Sequence, residues 1–277
     1  MLLRIRKEKK GNTCMEKEIR NMLKRKRLFL LDIDGTVALG AHLIPGAEKF
    51  LQSVKRNGGI LRYLTNNSSK GVKDYLEQFD RWGIPVKEEE FVTAGTYTIE
   101  FLKKRYGSKK ILAVASDSYC KELKNAGLMI TDQAGEDVSC LLTAYDTELT
   151  YEKLTQACHQ LSCWPVPWYG TNPDIRCPID FGMVPDCGSI CRMIGAAVDK
   201  KPRYLGKPEP EMVYFCMEQT GCTRDETVLI GDRIYTDMEC GKKAGVESCL
   251  VLTGEGKPEE WEGNFIFSSL GAMAAYL

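Results

Sequence analysis

Short apolar runs alternate with segments of helical periodicity, and this alternation predicts the fold class. The apolar run at residues 28–31 predicts a buried strand, and residues 47–54 then carry apolar side chains at the i, i+3, i+4 and i+7 positions of one helix face. Residues 60–65 are apolar again, and residues 72–79 repeat the helical spacing. Strand, helix, strand, helix in this order is typical of a parallel sheet covered by helices.

The same order returns near the C-terminus, where residues 208–221 predict a helix and residues 226–232 a strand. The chain between the two halves has strands and helical segments of its own, and an insertion of this size exceeds any loop. We therefore predict an α/β protein with a Rossmann-like, doubly wound parallel sheet core and a large inserted α/β domain. Its predicted parts are a basic extension at 1–25, core at 26–83, insert at 84–202 and core at 203–277.

Composition and charge narrow the class of protein further. The 277 residues are 43% apolar and 27% charged, as in a globular protein. Residues 1–27 hold eleven Lys or Arg against three Glu, a net charge of +8 by subtraction. This basic head is open to contact with nucleic acid or anionic lipid, but a solvated, poorly ordered terminus is favoured because it lacks apolar periodicity. No apolar run has the length of a membrane span or signal peptide, so we expect a cytoplasmic protein without membrane or nucleic-acid partners.

The twelve cysteines do not form a metal or disulfide pattern. They are scattered without a CxxC pair, and the chain has only two histidines, His42 and His159. Cys187 and Cys191 have helical i, i+4 spacing and no partner pair. The sequence therefore favours cysteines as small core residues.

Acidic, hydroxyl, amide and basic residues follow the predicted strands or precede helices at four places. The candidates are Asp32, Asp34 and Gly35; Thr65, Asn66 and Asn67; Lys207; and Asp232 and Asp237. Each group alone has an ordinary explanation, such as a turn, a helix cap or a loop. Ligands of open parallel sheets bind beyond the carboxyl ends of the strands, so the four groups together indicate one functional site.

The stretches "DIDGT", "LTNNSS", "GKPEP" and "GDRIYTD" resemble the four motifs of the haloacid dehalogenase (HAD) superfamily of phosphatases. The stretches "YGTNPDIRCP" and "VPDCGSICRMI" and the large insert resemble its NagD-like branch, subfamily IIA, which includes 4-nitrophenyl phosphatases and nucleotide monophosphatases. The resemblance covers residues 26–277 and implies a HAD-type core with the insert as a cap domain.

The resemblance also implies roles for the core residues. Asp32 would be the nucleophile and a metal ligand, and Asp34 would serve as general acid and base while its backbone carbonyl binds the metal. Thr65 and the neighbouring amides, including Gly35 and Asn67, would hold phosphate oxygens, and Lys207 would neutralise negative charge. Asp232 would be a further ligand of a Mg²⁺ ion, which prefers oxygen donors.

Three assignments stay open at this point. Asp237 either binds metal through water, orients Lys207, or is a carboxylate in the first turn of a helix. Asn66 either contacts substrate or caps a helix. Asn172 and Asp174 form either a cap loop near the substrate or an ordinary Asn-Pro-Asp turn.

The resemblance implies a Mg²⁺-dependent phosphomonoester hydrolase that forms an aspartyl phosphate. Its substrate would be a small phosphorylated metabolite, such as a nucleotide monophosphate or sugar phosphate, with 4-nitrophenyl phosphate as an artificial substrate. A dehalogenase is disfavoured because it dispenses with the metal and the second aspartate. A HAD-fold phosphomutase, which usually has a helical cap soon after the first motif, and a catalytically silent binding module are the alternatives. A homodimer through the cap stays open.

Overall fold

The structure is a computed structural model that describes residues 12–67, 71–179, 181–261, 263 and 265–277. These residues form two compact units. The first contains the described residues up to Thr65, those from 71 to Val92, and those from Pro208 to Leu277. The second contains residues 66–67 and the described residues between Thr93 and Lys207.

The strands are numbered in chain order. They are β1 (Leu28–Leu31), β2 (Ala38–Leu39), β3 (His42–Leu43), β4 (Ile60–Thr65), β5 (Phe91–Thr93), β6 (Lys110–Val114), β7 (Met129–Thr131), β8 (Val138–Thr143), β9 (Trp168–Gly170), β10 (Arg176–Ile179), β11 (Gly182–Pro185), β12 (Arg203–Tyr204), β13 (Thr227–Gly231), β14 (Glu247–Val251) and β15 (Phe265–Phe267).

The α-helices are numbered in the same way. They are α1 (Asn12–Lys24), α2 (Ala47–Arg56), α3 (Val72–Arg81), α4 (Ala94–Tyr106), α5 (Asp117–Asn125), α6 (Tyr151–Cys163), α7 (Cys187–Val198), α8 (Glu211–Thr220), α9 (Glu239–Ala244) and α10 (Leu270–Met273). Within the described ranges, none of these helices combines the length and apolar character that crossing a membrane requires.

The first unit is built on a six-stranded sheet with the order β15-β14-β13-β1-β4-β5. The pairings of β1 with β13 and β4, of β13 with β14, and of β14 with β15 are parallel. Every residue of β1 and β13 is buried, as expected for central strands covered on both faces. The predicted α/β class and its parallel core sheet are confirmed.

Helix α2 shows how the apolar pattern of the sequence becomes core packing. Its buried residues are Ala47, Phe50, Leu51 and Val54. The Phe50 ring meets Phe29 of β1 edge to face, with 6.1 Å between the ring centroids. The four positions that share one face in the sequence are therefore the ones that pack against the sheet.

The N-terminal segment corrects one prediction. We expected a poorly ordered extension over residues 1–25, but residues 12–24 form helix α1. Ile19, Met22 and Leu23 lie at i, i+3 and i+4, and all three are buried in the core of the first unit. This short apolar stripe among many charges gives the helix a face to bury, which outweighs the low overall hydrophobicity of the segment. Residues 1–11 lie outside the described residues.

The second unit has its own sheet, with the order β12-β9-β8-β6-β7. The pairings of β6 with β7 and β8, of β8 with β9, and of β9 with β12 are parallel, and β10 and β11 form a separate antiparallel hairpin. Its apolar core includes Leu141 and Trp168 from the strands and Ile190 from α7. Cys187 and Cys191 are also buried in this core, in agreement with the prediction that the cysteines are small core residues.

The boundaries between the units differ from the predicted ones at 83/84 and 202/203. The chain first crosses between the units after Thr65, and the boundary nearest to 83/84 falls after Val92, because β5 forms the edge of the core sheet next to β4. The last falls after Lys207, because β12 pairs with β9 of the second sheet. Strand pairing with a distant partner decides both boundaries, and neither short strand has a periodic signal of its own.

Candidate active site

Asp32 follows directly after β1, at the carboxyl end of the central strand. Its backbone N–H donates to the Ile230 carbonyl of β13 at 2.9 Å, so the parallel ladder continues through this residue. The chain then turns tightly, and the Gly35 N–H donates to the Ala38 carbonyl at 2.7 Å. Asp32 is only 7% exposed, whereas Asp34 in the turn is half-buried. The strand therefore holds one carboxylate in the interior and delivers the second at its rim.

Asp232 occupies the equivalent place after β13 and is enclosed by backbone. The Glu255 N–H donates to Asp232 Oδ2 at 2.9 Å, and the Gly256 N–H donates to the Asp232 carbonyl at 2.9 Å. A side chain on Gly254 would overlap the Asp232 carboxylate, and a Cβ on Gly35 would lie 2.5 Å from Asp232 Oδ2. Close backbone approach thus requires glycine at both positions and fixes the orientation of the carboxylate.

Asp237 lies in a π-helical turn, Ile234–Met238, which continues into α9. Its Oδ2 accepts a hydrogen bond from the Arg233 N–H at 3.0 Å, and the side chain is completely buried. A Cβ on Gly231 would overlap the Asp237 carboxylate. Asp237 thus lies in the first turn of a helix, which is one of the three alternatives that the sequence leaves open for it. The same turn places its carboxylate near those of Asp32 and Asp232.

Asp32, Asp232 and Asp237 form a cluster that fits a divalent metal ion. Each offers one carboxylate oxygen, and these oxygens all lie within 4.8 Å of one another. All three residues are buried. Buried carboxylates need a compensating charge, and oxygen donors are those that a hard divalent cation prefers. The cluster therefore has the donors, the spacing and the charge of a divalent metal site.

Thr65 ends β4 and is almost completely buried in the first unit. Tyr75 of α3 lies close by: burial and the carboxylate of Asp34 raise the pKa of its hydroxyl, and the Thr65 side chain opposes this shift. In the sequence, Tyr75 lies at an apolar position of the helical repeat in α3. That spacing predicts that Tyr75 packs in the core, but it does not predict the polar residues near its hydroxyl.

Asn66 and Lys207 are joined within the second unit, although 141 residues separate them. Asn66 Nδ2 donates to the Lys207 carbonyl at 2.7 Å, and the Lys207 N–H donates to Asn66 Oδ1 at 2.9 Å. Both residues are buried, and a Cβ on the preceding Gly206 would lie 2.6 Å from Asn66 Oδ1. The side chain of Asn66 therefore holds the backbone of the "GKP" motif.

The second unit also contains Asn172 and Asp174. Asn172 Nδ2 donates to the Asn66 carbonyl at 3.1 Å, and Asn172 Oδ1 accepts the Asp174 N–H at 3.0 Å. The second contact is the local turn that Asn-Pro-Asp suggests. The first links Asn172 to Asn66, which sequence spacing does not reveal. Asn67 follows Asn66 and is half-buried.

Sequence reasoning missed Arg233 and Glu255 beside the aspartates. Arg233 Nη2 and Glu255 Oε1 form an ion pair at 3.0 Å. Arg233 lies inside the "GDRIYTD" motif, so its neighbourhood was visible in the sequence. Glu255 follows β14 in "LTGEG", a segment whose relation to Asp232 depends on strand order and carries no local signal.

Comparisons with known proteins agree with this architecture. A family model described as haloacid dehalogenase-like hydrolase matches residues 29–129, and a second, described as HAD-hydrolase-like, matches residues 204–273. A dihydroxyacetone phosphatase from Corynebacterium glutamicum is 32% identical over 82% of this chain and 81% of its own length. An acid sugar phosphatase from Staphylococcus aureus is 29% identical over 84% of this chain and 88% of its own.

Solved structures are similar over nearly the whole chain. A 4-nitrophenylphosphatase from Thermotoga maritima has a TM-score of 0.85 and 36% identity, covering 92% of this chain and 98% of that one. NagD from E. coli K-12 has a TM-score of 0.81 and 28% identity, covering 89% and 97%.

An open parallel sheet with buried carboxylates beyond its central strands, together with these matches, defines a haloacid dehalogenase-like hydrolase. The chain belongs to the haloacid dehalogenase superfamily and is a phosphatase of its NagD-like branch, subfamily IIA. The family, the fold class and the phosphatase class that the motifs predict are confirmed.

Proposed function

We propose that this phosphatase hydrolyses a small sugar phosphate, depends on Mg²⁺ and forms an aspartyl phosphate on Asp32. The observation that carries the proposal is the buried cluster of Asp32, Asp232 and Asp237 at the carboxyl ends of β1 and β13. The relatives named dihydroxyacetone phosphatase and acid sugar phosphatase support sugar phosphates as the substrate class. Nucleotide monophosphates are the second class to test.

The chemistry divides among the residues of the site. Asp32 is the nucleophile: its carboxylate attacks phosphorus, the P–O bond to the leaving group breaks, and the phosphoryl group remains on Asp32. Asp34 protonates the leaving oxygen and then takes a proton from the water that cleaves the acyl phosphate. The half-buried position of Asp34 at the rim, beside a buried Asp32, suits an acid that must exchange protons with solvent.

Charge balance explains the remaining roles. Asp32, Asp232 and Asp237 would hold a Mg²⁺ ion, which supplies positive charge for the approaching phosphate dianion. Thr65 and the amides of Gly35, Asn66 and Asn67 would hold phosphate oxygens, and Lys207 would neutralise charge on the phosphoryl group. We assign Asn172 to the support of Asn66, because its side chain donates to the Asn66 carbonyl. We assign Asp174 to the support of Asn172, because its backbone N–H donates to the Asn172 side chain.

The test is phosphate release from a panel of sugar phosphates, nucleotide monophosphates and 4-nitrophenyl phosphate. We expect activity with Mg²⁺, loss of activity in EDTA with recovery on adding Mg²⁺, and a kcat/KM at least about tenfold higher for a sugar phosphate than for any nucleotide, which corresponds to about 1.4 kcal/mol. Asp32→Asn should abolish turnover, while the exposed Asp80→Asn in α3 should not. Full activity in EDTA, or in Asp32→Asn, would refute the mechanism.

A further inference from the structure

Arg233 is a positively charged residue next to the aspartate cluster. It follows Asp232 directly, and its backbone N–H donates to Asp237 Oδ2 at 3.0 Å. Its guanidinium is partly buried, at 25% exposure, and forms the 3.0 Å ion pair with Glu255.

Arg233 brings a positive charge close to the aspartate cluster. Its guanidinium pairs with Glu255, whose backbone N–H donates to Asp232 Oδ2 at 2.9 Å. In agreement with this placement, and against the effect of its burial, the carboxylates of Asp32, Glu255 and Asp232 raise the pKa of Arg233. The geometry therefore places one positive charge beside the carboxylates that would hold a divalent cation.

Glu255 contacts the cluster through its backbone and Arg233 through its side chain. Its backbone N–H donates to Asp232 Oδ2, whereas its side chain pairs with Arg233 and accepts a hydrogen bond from the Tyr235 hydroxyl at 3.1 Å. The loop is also anchored by Thr253 Oγ1, which donates to the Gly35 carbonyl at 2.6 Å. A change confined to the Glu255 carboxylate therefore leaves the backbone support of Asp232 in place.

We propose that Arg233 is the internal counter-charge of the aspartate cluster, and that the Glu255 carboxylate offsets this charge, so that the pair sets the affinity of the site for a divalent cation. The inference rests on the metal site of the proposed function. Removing the positive charge of Arg233 makes the site more negative and tightens cation binding. Removing the negative charge of Glu255 leaves Arg233 uncompensated and weakens it.

The opposite signs separate this role from simple structural support. If the ion pair only held the loop in place, breaking it from either side would loosen the aspartates and weaken cation binding in both variants. The charge account instead predicts one gain and one loss from two substitutions in the same pair.

The experiment is calorimetric titration of Mg²⁺ into the metal-free full chain. Arg233→Gln should bind Mg²⁺ roughly three- to thirtyfold more tightly and Glu255→Gln several-fold more weakly, with the direction of each change set by the sign of the charge that is removed. Arg233→Lys keeps the charge and should stay within about twofold of the wild type. Arg224→Gln removes the same charge at the opposite end of β13, where Arg224 lies over the Tyr214 ring, and should leave the affinity unchanged.

The outcomes separate the two proposals. Equal affinities in all variants, or weaker binding in both Arg233→Gln and Glu255→Gln, would overturn the inference and leave the proposed function standing. A wild-type chain that binds no Mg²⁺ would overturn the metal part of the proposed function first. Should Arg233→Gln not fold, Glu255→Gln still tests the inference, because unchanged or tighter binding in that variant contradicts it.

Discussion

Asn66 uses both polar atoms of its side chain on the backbone of Lys207, donating to its carbonyl at 2.7 Å and accepting its N–H at 2.9 Å. This pairing favours a positioning role for Asn66 over direct contact of its side chain with substrate. It also explains why an amide is suited to the position, since only an amide side chain offers a donor and an acceptor side by side.

Asn66→Ala should therefore reduce both stability and turnover. It leaves a buried N–H and a buried carbonyl of Lys207 without their partner, at a cost of about 1–3 kcal/mol for each group. Asn66→Asp keeps the acceptor and loses the donor, so its loss should be intermediate. Urea denaturation and kcat for 4-nitrophenyl phosphate measure the two effects.

The comparison variant for this prediction is Asn172→Ala. It removes the support of the Asn66 carbonyl but keeps the Asn66–Lys207 pair, so it should cost less than Asn66→Ala. Equal kcat in Asn66→Ala and the wild type would contradict the positioning role.

Removal of the metal should affect the wild type and Asp232→Asn differently. Three buried carboxylates repel one another without a cation, so the folded chain should bind Mg²⁺ and be stabilised by it. By mass action, Mg²⁺ at about a hundred times its dissociation constant should raise the free energy of unfolding of the wild type by about 2.7 kcal/mol. Asp232→Asn loses a ligand and part of the repulsion, so its melting temperature should depend little on Mg²⁺. The same Mg²⁺-induced rise in both proteins would speak against Asp232 as a ligand.

Gly254 should tolerate no side chain. A Cβ at this position overlaps the Asp232 carboxylate, so Gly254→Ala is expected to displace Asp232 and to lower activity by about tenfold or more, corresponding to about 1.4 kcal/mol of transition-state stabilisation. The control is Gly58→Ala, where the added Cβ meets nothing within 4 Å but the positive φ of 74° is strained. That variant should lose about 1–2 kcal/mol of stability and keep its kcat.

The N-terminal helix should contribute to stability. Leu23 is 2% exposed, so Leu23→Ala should lower the free energy of unfolding by about 2–5 kcal/mol. Met15 lies on the same helix and is 39% exposed, so Met15→Ala should change it by no more than about 0.5 kcal/mol. A Leu23→Ala variant as stable as Met15→Ala would show that α1 does not pack on the core in solution.

The strong periodic signals of the sequence predict the fold well. The apolar face of α2 packs as its spacing indicates, and Asp32 and Asp232 lie where strand ends in a parallel sheet must lie. In helix α1 the apolar stripe is only Ile19, Met22 and Leu23, and the surrounding charges obscure it. A short apolar stripe among charged residues can be identified as a packing face only when the surface that it contacts is known.

Contacts between distant segments limit what the sequence can predict about the site. Asn66 and Lys207, or Arg233 and Glu255, meet because of strand order and loop paths, which no local spacing encodes. Motif positions therefore indicate which residues carry the chemistry, while the residues that orient them emerge only from the structure.

The most direct test of the central claim is reductive trapping of the intermediate on Asp32. Asp34→Asn, which lacks the base for hydrolysis, is mixed with 4-nitrophenyl phosphate and Mg²⁺, treated with borohydride and mapped by peptide mass spectrometry. Because 4-nitrophenolate leaves without protonation, the aspartyl phosphate should accumulate and be reduced. The account predicts homoserine at position 32 only when substrate is present; an unmodified Asp32, or reduction at another carboxylate, would contradict it.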